Sequence, residues 1–397
     1  MAFRLTDDPK QSQLFLLIGI LFISYLCVAT ALPVVPVFAN EKLGLSNGWA
    51  GLAVGIAFIG TIFTRAYAGR LVDTKGAKHT VYRGLFLYVA GTCISLWSGI
   101  PLLRPAAAFT ILVSGRLIIG VGESLVAVGV ITWGVSLVGP ARSGRVLALV
   151  GTAIYGALGL GGPIGLLTFE HLGFEGAMAL GAALPLLGLI AIRKLPYTTA
   201  NSHVHERSPL ASVIGPIWGY SLIIFMQGVG FAAIGSFFTL YFFDLGWSNA
   251  GLGLSAFGCG FVLVRLLFGH LPDRFGGVAI ASVSLAVEAL GQILIATAPN
   301  PATAFAGAFM TGLGCSMIFP AMGREVVHVV PAALRGTALG AFSAFQDLAY
   351  GLTGPLAGLL ADRTGYTTVF LIGSAMAATG FFVTLALRKP EAFVPRK

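Results

Sequence analysis

Gly69-Arg70-Leu71-Val72-Asp73-Thr74-Lys75-Gly76-Ala77-Lys78 is a short charged stretch set between two apolar runs, and it occurs twice. The second copy is Gly269-His270-Leu271-Pro272-Asp273-Arg274-Phe275-Gly276-Gly277. Aligned on Arg65 and Arg265, the copies agree at Gly69/Gly269, Leu71/Leu271, Asp73/Asp273 and Gly76/Gly276. Self-similarity over so long a period marks a duplicated chain. Each half carries a tight, glycine-bounded hydrophilic hairpin between apolar segments.

The 397 residues are 56% hydrophobic and only 10% charged, with 54 glycines and a mean hydropathy of +0.90. That composition excludes an ordinary soluble domain and defines a polytopic membrane protein. A spanning helix needs about 20 apolar residues, so the chain holds about twelve spans, with short loops and little left for a soluble domain. The alternation of a closed barrel is absent. The first apolar run, Leu14 to Phe38, is too long for a signal-peptide core and lacks a small-x-small cleavage site, which predicts an uncleaved first helix.

A formal charge of +9 would suggest nucleic acid in a soluble protein, but its placement follows the positive-inside rule, so no nucleic-acid partner is expected. With a cytoplasmic N-terminus, every Lys and Arg except Lys42, Arg104, Arg116 and Arg363 falls on or beside the cytoplasmic side. An even number of spans returns Arg388-Lys389 to that side. Cys27, Cys93, Cys259 and Cys315 stand singly in apolar runs, without metal or redox spacing, and read as packing residues.

The repeated turn resembles the loop between the second and third helices of the major facilitator superfamily, whose pattern is roughly Gly-x-Leu-x-Asp-Arg-aromatic-Gly-Arg-Arg. The second copy keeps Asp273-Arg274-Phe275-Gly276, whereas the first has Thr74 and Lys75 in place of the arginine and the aromatic. The resemblance covers nearly the whole chain and implies an all-α membrane protein built as two pseudo-symmetric six-helix bundles. The bundles are expected at 1–193 and 213–397, joined by a cytoplasmic linker at 194–212. Helices two and three are expected from Ala50 to Ala68 and from Val81 to Ile100. Gly69, Asp73, Gly76, Gly269, Asp273, Arg274 and Gly276 are the expected gating set, the two aspartates fastening the cytoplasmic ends in the outward-open state.

Leu32-Pro33-Val34-Val35-Pro36 resembles the Pro-Val-x-Pro signature of drug-proton exporters, but the acid that many of them carry earlier in that helix is missing. Only Ser24, Tyr25, Cys27 and Thr30 are non-aliphatic there. Gly44-Leu45-Ser46-Asn47-Gly48 formally matches the Gly-x-Ser-x-Gly nucleophile elbow. No strand precedes it, so capping of the next helix by Ser46 and Asn47 is the stronger reading. The glycine-rich run from Tyr155 to Gly165, with Gly162-Pro163, resembles the antiporter signature of helix five. Close helix packing alone would also explain its glycines. Its duplicate is Gly351 to Gly358 with Gly354-Pro355, and this offset sets Asp347 against Tyr155.

Gly115-Arg116-Leu117-Ile118-Ile119-Gly120-Val121-Gly122-Glu123 resembles the family's Arg-x-x-x-Gly-x-Gly signature, in which the buried arginine serves substrate or proton transfer. Each charge placed mid-span costs about 2.5–3.5 kcal/mol on insertion scales, so neither Arg116 nor Glu123 is passive filler. They share a helix face roughly 10 Å apart, and a mutual ion pair is the alternative reading. The second half adds Gln227, Glu288, Gln346, Asp347 and Tyr350. Glu288 reads equally as a packing or a gating group. His203-Val204-His205-Glu206 in the linker is not read as a metal site, and no nucleotide or dinucleotide motif is present.

These features point to proton-coupled export of a small organic solute, drug-like, sugar-like or metallophore-like, across the bacterial inner membrane by a monomer. Both termini are expected to be cytoplasmic, and no cofactor is implied. Glu123 and Asp347, with Arg116, are the expected proton-coupling residues. Tyr25, Thr30, Tyr155, Gln227, Gln346 and Tyr350 are the expected substrate contacts. Uptake by symport or facilitated diffusion is the alternative, and an enzyme using Ser46 a remote one. In a cysteine-free background, His203→Cys should resist an impermeant thiol reagent in sealed cells while Arg104→Cys reacts, and strong labelling at position 203 would reverse the topology.

Overall fold

The computed structural model describes residues 9–139, 142–196, 211–331 and 334–387, and these are helical throughout apart from short connections. Most of the linker and the Arg388-Lys389 tail lie outside the described residues. The helices are α1 (Pro9–Val37), α2 (Asn47–Lys75), α3 (Ala77–Trp97), α4 (Pro105–Val138), α5 (Ser143–Ala191), α6 (Ala211–Asp244), α7 (Leu252–Phe268), α8 (Leu271–Phe275), α9 (Gly277–Ala296), α10 (Pro301–Val329), α11 (Arg335–Thr364) and α12 (Tyr366–Ala386). A π-helical turn, Phe38–Lys42, extends α1.

α5 crosses twice, because Gly173 (φ 69°, ψ −171°) folds it back on itself, a backbone conformation open to glycine and few other residues. α8 is a single turn completing the α7 span. With α5 counted twice and α7 joined to α8, the described residues make twelve passes, six in each half. α1 packs on α5 and α3 on α4 in the first half; α9 packs on α10 and α12 in the second. Helices are the available solution, because hydrocarbon offers no partner to an unpaired peptide group.

The repeated turn differs from the hairpin expected of it. α2 runs unbroken through the charged stretch to Lys75 and α3 starts at Ala77, leaving Gly76 alone as the corner (φ 86°, ψ 157°). Nothing between Gly69 and Gly76 breaks a helix, and Thr74 Oγ1 donates back to the Arg70 carbonyl at 2.7 Å. The expected limits Ala50, Ala68 and Val81 therefore fall inside the observed helices, whereas the expected end at Ile100 overruns α3, which stops at Trp97. In the second copy Pro272 has no amide to donate and its ring clashes with the preceding turn. There α7 stops at Phe268 and restarts as α8 before the matching corner at Gly276 (φ 84°, ψ 150°).

The halves approach most closely along two seams, with α1 also packing on α6. On one, α2 lies against α11 so closely that a Cβ at Gly51 would stand 2.1 Å from the Gly354 carbonyl oxygen, and one at Gly55 would stand 2.4 Å from that of Gly351. On the other, the backbones of Gly159 and Gly258 meet between α5 and α7, and Ser255 Oγ donates to the Gly159 carbonyl at 2.6 Å. At the face away from the corners the first seam ends in a cap. The Asp362 carboxylate accepts the backbone N–H groups of Asn47 (2.9 Å) and Gly48 (3.3 Å), and the Tyr366 hydroxyl donates to Asn47 Oδ1 at 2.8 Å. This corrects the expected local cap: Ser46 holds the N-cap position but its side chain makes no capping bond, because a full carboxylate from the other half takes those donors.

Gly51→Val should drive α2 off α11 at this face. Spin labels at positions 41 and 244, one on each half, should then give a longer and broader distance distribution in purified protein, and an unchanged distribution would contradict the seam.

Candidate functional site

The charged centre lies where the seams approach each other. Arg65 on α2 reaches across to Asp347 on α11, with Nη2 2.6 Å and Nε 2.7 Å from the same carboxylate oxygen. Asp347 retains 8% of its side-chain exposure and Arg65 31%. Two donors on one carboxylate in a largely dry environment make a strong, directional contact, and here it joins one half to the other.

Glu123 on α4 is buried beside this pair. Tyr25 on α1 presents its hydroxyl to the Glu123 carboxyl, and Asp347, Arg65 and Arg116 are the charged groups that act on it. The alternative ion pair between Arg116 and Glu123 is not made. Arg116 is fully buried, and its Nε donates to the Ala53 carbonyl at 3.3 Å. Its two terminal nitrogens, like Glu123 Oε2, have no hydrogen-bond partner among the described residues. The helical rise that separates the two residues keeps them apart.

The other expected residues divide into three groups. Gln227 and Gln346 meet, Nε2 of Gln346 donating to Oε1 of Gln227 at 3.3 Å. Tyr155 and Tyr350 join an aromatic cluster drawn from both halves. The Tyr155 ring stacks on Phe261 (centroids 3.4 Å), while Tyr350 packs against Phe231 (4.7 Å) and Phe58 (5.1 Å). Thr30 is held elsewhere: its hydroxyl donates to the Cys27 carbonyl at 3.0 Å, and its backbone fills the space over Gly165 of α5.

At the corners, Asp273 is 86% exposed and lies 3.9 Å from Arg324 of its own half. Asp73 is exposed and has no ion pair among the described residues, so in this conformation neither aspartate ties one half to the other. The carboxylate that does cap a helix beside a corner is Glu325, which accepts from Gly277 N at 2.9 Å. Glu288 is fully buried, set against Gly230 and Gly314 beside the Cys315 thiol. Among the described residues no group of His, Cys, Asp and Glu is placed to hold a metal ion.

Sequence reasoning left two members of this arrangement without a role. Arg65 entered only as a register match to Arg265, and Asp362 did not enter at all. A mid-span arginine repeated in both halves was the available signal for the first. Asp362 is an ordinary helix-end acid until α11 is laid beside α2.

A polytopic helical protein whose two halves meet around a central charged and aromatic site is a membrane carrier by architecture. The chain belongs to the major facilitator superfamily, whose family model matches residues 17–277 and 220–397. It is 40% identical over 386 residues to an uncharacterised MFS-type transporter of Salmonella typhimurium, covering 97% of this chain and 99% of that one. The fold is similar to that of a D-xylose-proton symporter (TM-score 0.77, 19% identity, 96% of this chain and 98% of that one). It is also similar to that of a point-mutant form of the nucleoside transporter NupG (TM-score 0.76, 14% identity, 95% and 100% covered). The protein is thus a multi-pass membrane transporter of this superfamily, whose members move small molecules.

Removing one partner of a buried ion pair costs about 3–5 kcal/mol. Because Arg65 keeps 31% exposure and water screens it, Arg65→Gln or Asp347→Asn should each cost about 1–3 kcal/mol. The double variant should cost less than the sum of the two. Unfolding in detergent tests this, and strictly additive losses would show that the bridge carries no coupling.

Proposed function

We propose that this chain exports a small organic solute from the cytoplasm by proton antiport, working by alternating access in the bacterial inner membrane with both termini cytoplasmic. The observation that carries the proposal is the Arg65–Asp347 bridge at 2.6 Å, with the Glu123 carboxyl close enough for both charges to act on it. When Glu123 carries a proton, Arg65 is left to Asp347 and the halves are tied at the centre. When Glu123 loses it, two carboxylates compete for one guanidinium and the tie slackens. Protonation in one half thereby biases the fit of that half against the other, which is the differential interaction a coupled carrier needs. Tyr25, whose hydroxyl meets the carboxyl, passes the proton to and from Glu123. Arg116, lodged against the α2 backbone, keeps a positive potential beneath it.

The solute occupies the space between the halves, against Tyr155, Tyr350, Gln227 and Gln346. Two amides and two phenols on an aromatic wall suit an amphipathic molecule. A proton returning across about 100 mV supplies about 2.3 kcal/mol, enough for about a fiftyfold gradient of a neutral solute, so one carboxyl suffices.

Ligand-induced thermal stabilisation across drugs, sugars and metal chelates identifies a working solute. In proteoliposomes carrying it, Glu123→Gln should retain binding and exchange but lose uphill transport driven by an imposed pH gradient. A well-folded Glu123→Gln protein that still accumulates solute against its gradient would refute the assignment.

A further inference from the structure

The duplication places a second arginine, Arg265 on α7, at the position of Arg65, and places Tyr155 on α5 at the position of Asp347. The structure keeps the pairing of elements but not of charge. Arg65 of α2 meets its acid on α11, whereas Arg265 meets the Tyr155 region of α5. One Arg265 terminal nitrogen would lie 3.0 Å from a Cβ at Gly151, and its guanidinium stands 5.8 Å from the centre of the Phe261 ring that stacks on Tyr155. Its polar contact is a single 3.3 Å bond from Nη1 to the Ser316 carbonyl. Nε is buried without a partner, and no carboxylate pairs with this side chain among the described residues. The acids inside the spans are placed elsewhere: Asp347 on Arg65, Glu123 with Tyr25, and Glu288 sealed against Gly230 and Gly314.

An arginine kept in apolar surroundings with most of its donors unused is costly unless an anion completes it. This one is only half-buried, faces the other half across the seam, and stands beside an aromatic wall. We infer that Arg265 is the anchor for an anionic group of the transported solute, and that the solute class is an organic anion with a flat or aromatic body: a carboxylate or phosphonate on the guanidinium fork, its ring against Tyr155, which Phe261 backs. The inference rests on the transport reading only in placing the solute between the halves. An inside-negative membrane would then help drive the anion outward, adding to the proton's contribution.

The test is equilibrium binding to purified full-length protein with no gradient, read as thermal stabilisation and as Kd. The probes are benzoate, cinnamate and phenylphosphonate, each beside its neutral ester. The expected result is stabilisation by the anions over the esters, with Arg265→Gln weakening anion binding by about tenfold or more and Arg265→Lys retaining part of it. Should Arg265→Gln not fold, phenylglyoxal modification of Arg265 in the unaltered protein, followed by mass spectrometry, should be slowed by the anions and not by the esters. Equal stabilisation by acid and ester, an anion preference that survives in Arg265→Gln, or protection by phosphatidylglycerol in mixed micelles but by no soluble anion would each overturn it. A Glu123→Gln protein that still pumps would remove proton coupling and leave this result untouched, whereas charge-blind binding would remove the anion anchor alone.

Discussion

α2 and α11 lie in backbone contact at Gly51 and Gly354, where even a methyl group would collide with a carbonyl oxygen, and the centre of the molecule depends on that closeness. Without side chains to hold the helices apart, a guanidinium on one can reach a carboxylate on the other. The same proximity brings the α2 N-terminus under Asp362, where the carboxylate replaces both water and the local cap that a soluble helix would use. Dispersion between flush glycine surfaces does in lipid what the hydrophobic effect does in water. The polar contacts then set which helix positions come into register.

The two halves apply one plan to different ends. Where the first half offers Arg65 to an acid, the second offers Arg265 to a tyrosine. Where the fourth span of the first half carries Arg116 and Glu123, the corresponding stretch of α10 carries small residues and Cys315. The intramembrane charges facing the centre are therefore divided between the halves rather than mirrored in them.

Much of the fold was legible in the sequence because apolar runs and glycine corners report directly on spans and turns. Gly76 and Gly276 mark their corners, and the Gly162-Pro163 and Gly354-Pro355 pairs align the seams. The polarity of the residues after Gly69 suggests a loop, whereas helix continuity depends on the absence of a breaker, and the breaker comes only with Pro272. The site was legible residue by residue but not pair by pair. Glu123 and Asp347 stood out as intramembrane acids, yet the partner of Asp347 lies 282 positions away on another helix, and no local pattern encodes that distance. Thr30 shows the converse: a polar residue at a promising height whose hydroxyl the helix itself takes up.

The uninterrupted course of α2 has a mechanical consequence. Pinned at Arg65, the rod extends about 27 Å to its capped end at Asn47 and about 15 Å to the corner after Lys75. The bridge therefore sits off-centre, as the fulcrum of an unequal beam, and a displacement at the corner returns at the far face enlarged about twofold. Its counterpart is jointed between Phe268 and Leu271, so a push at the second corner is absorbed at the hinge. Of the two charged corners, only the first is rigidly geared to the opposite side of the membrane.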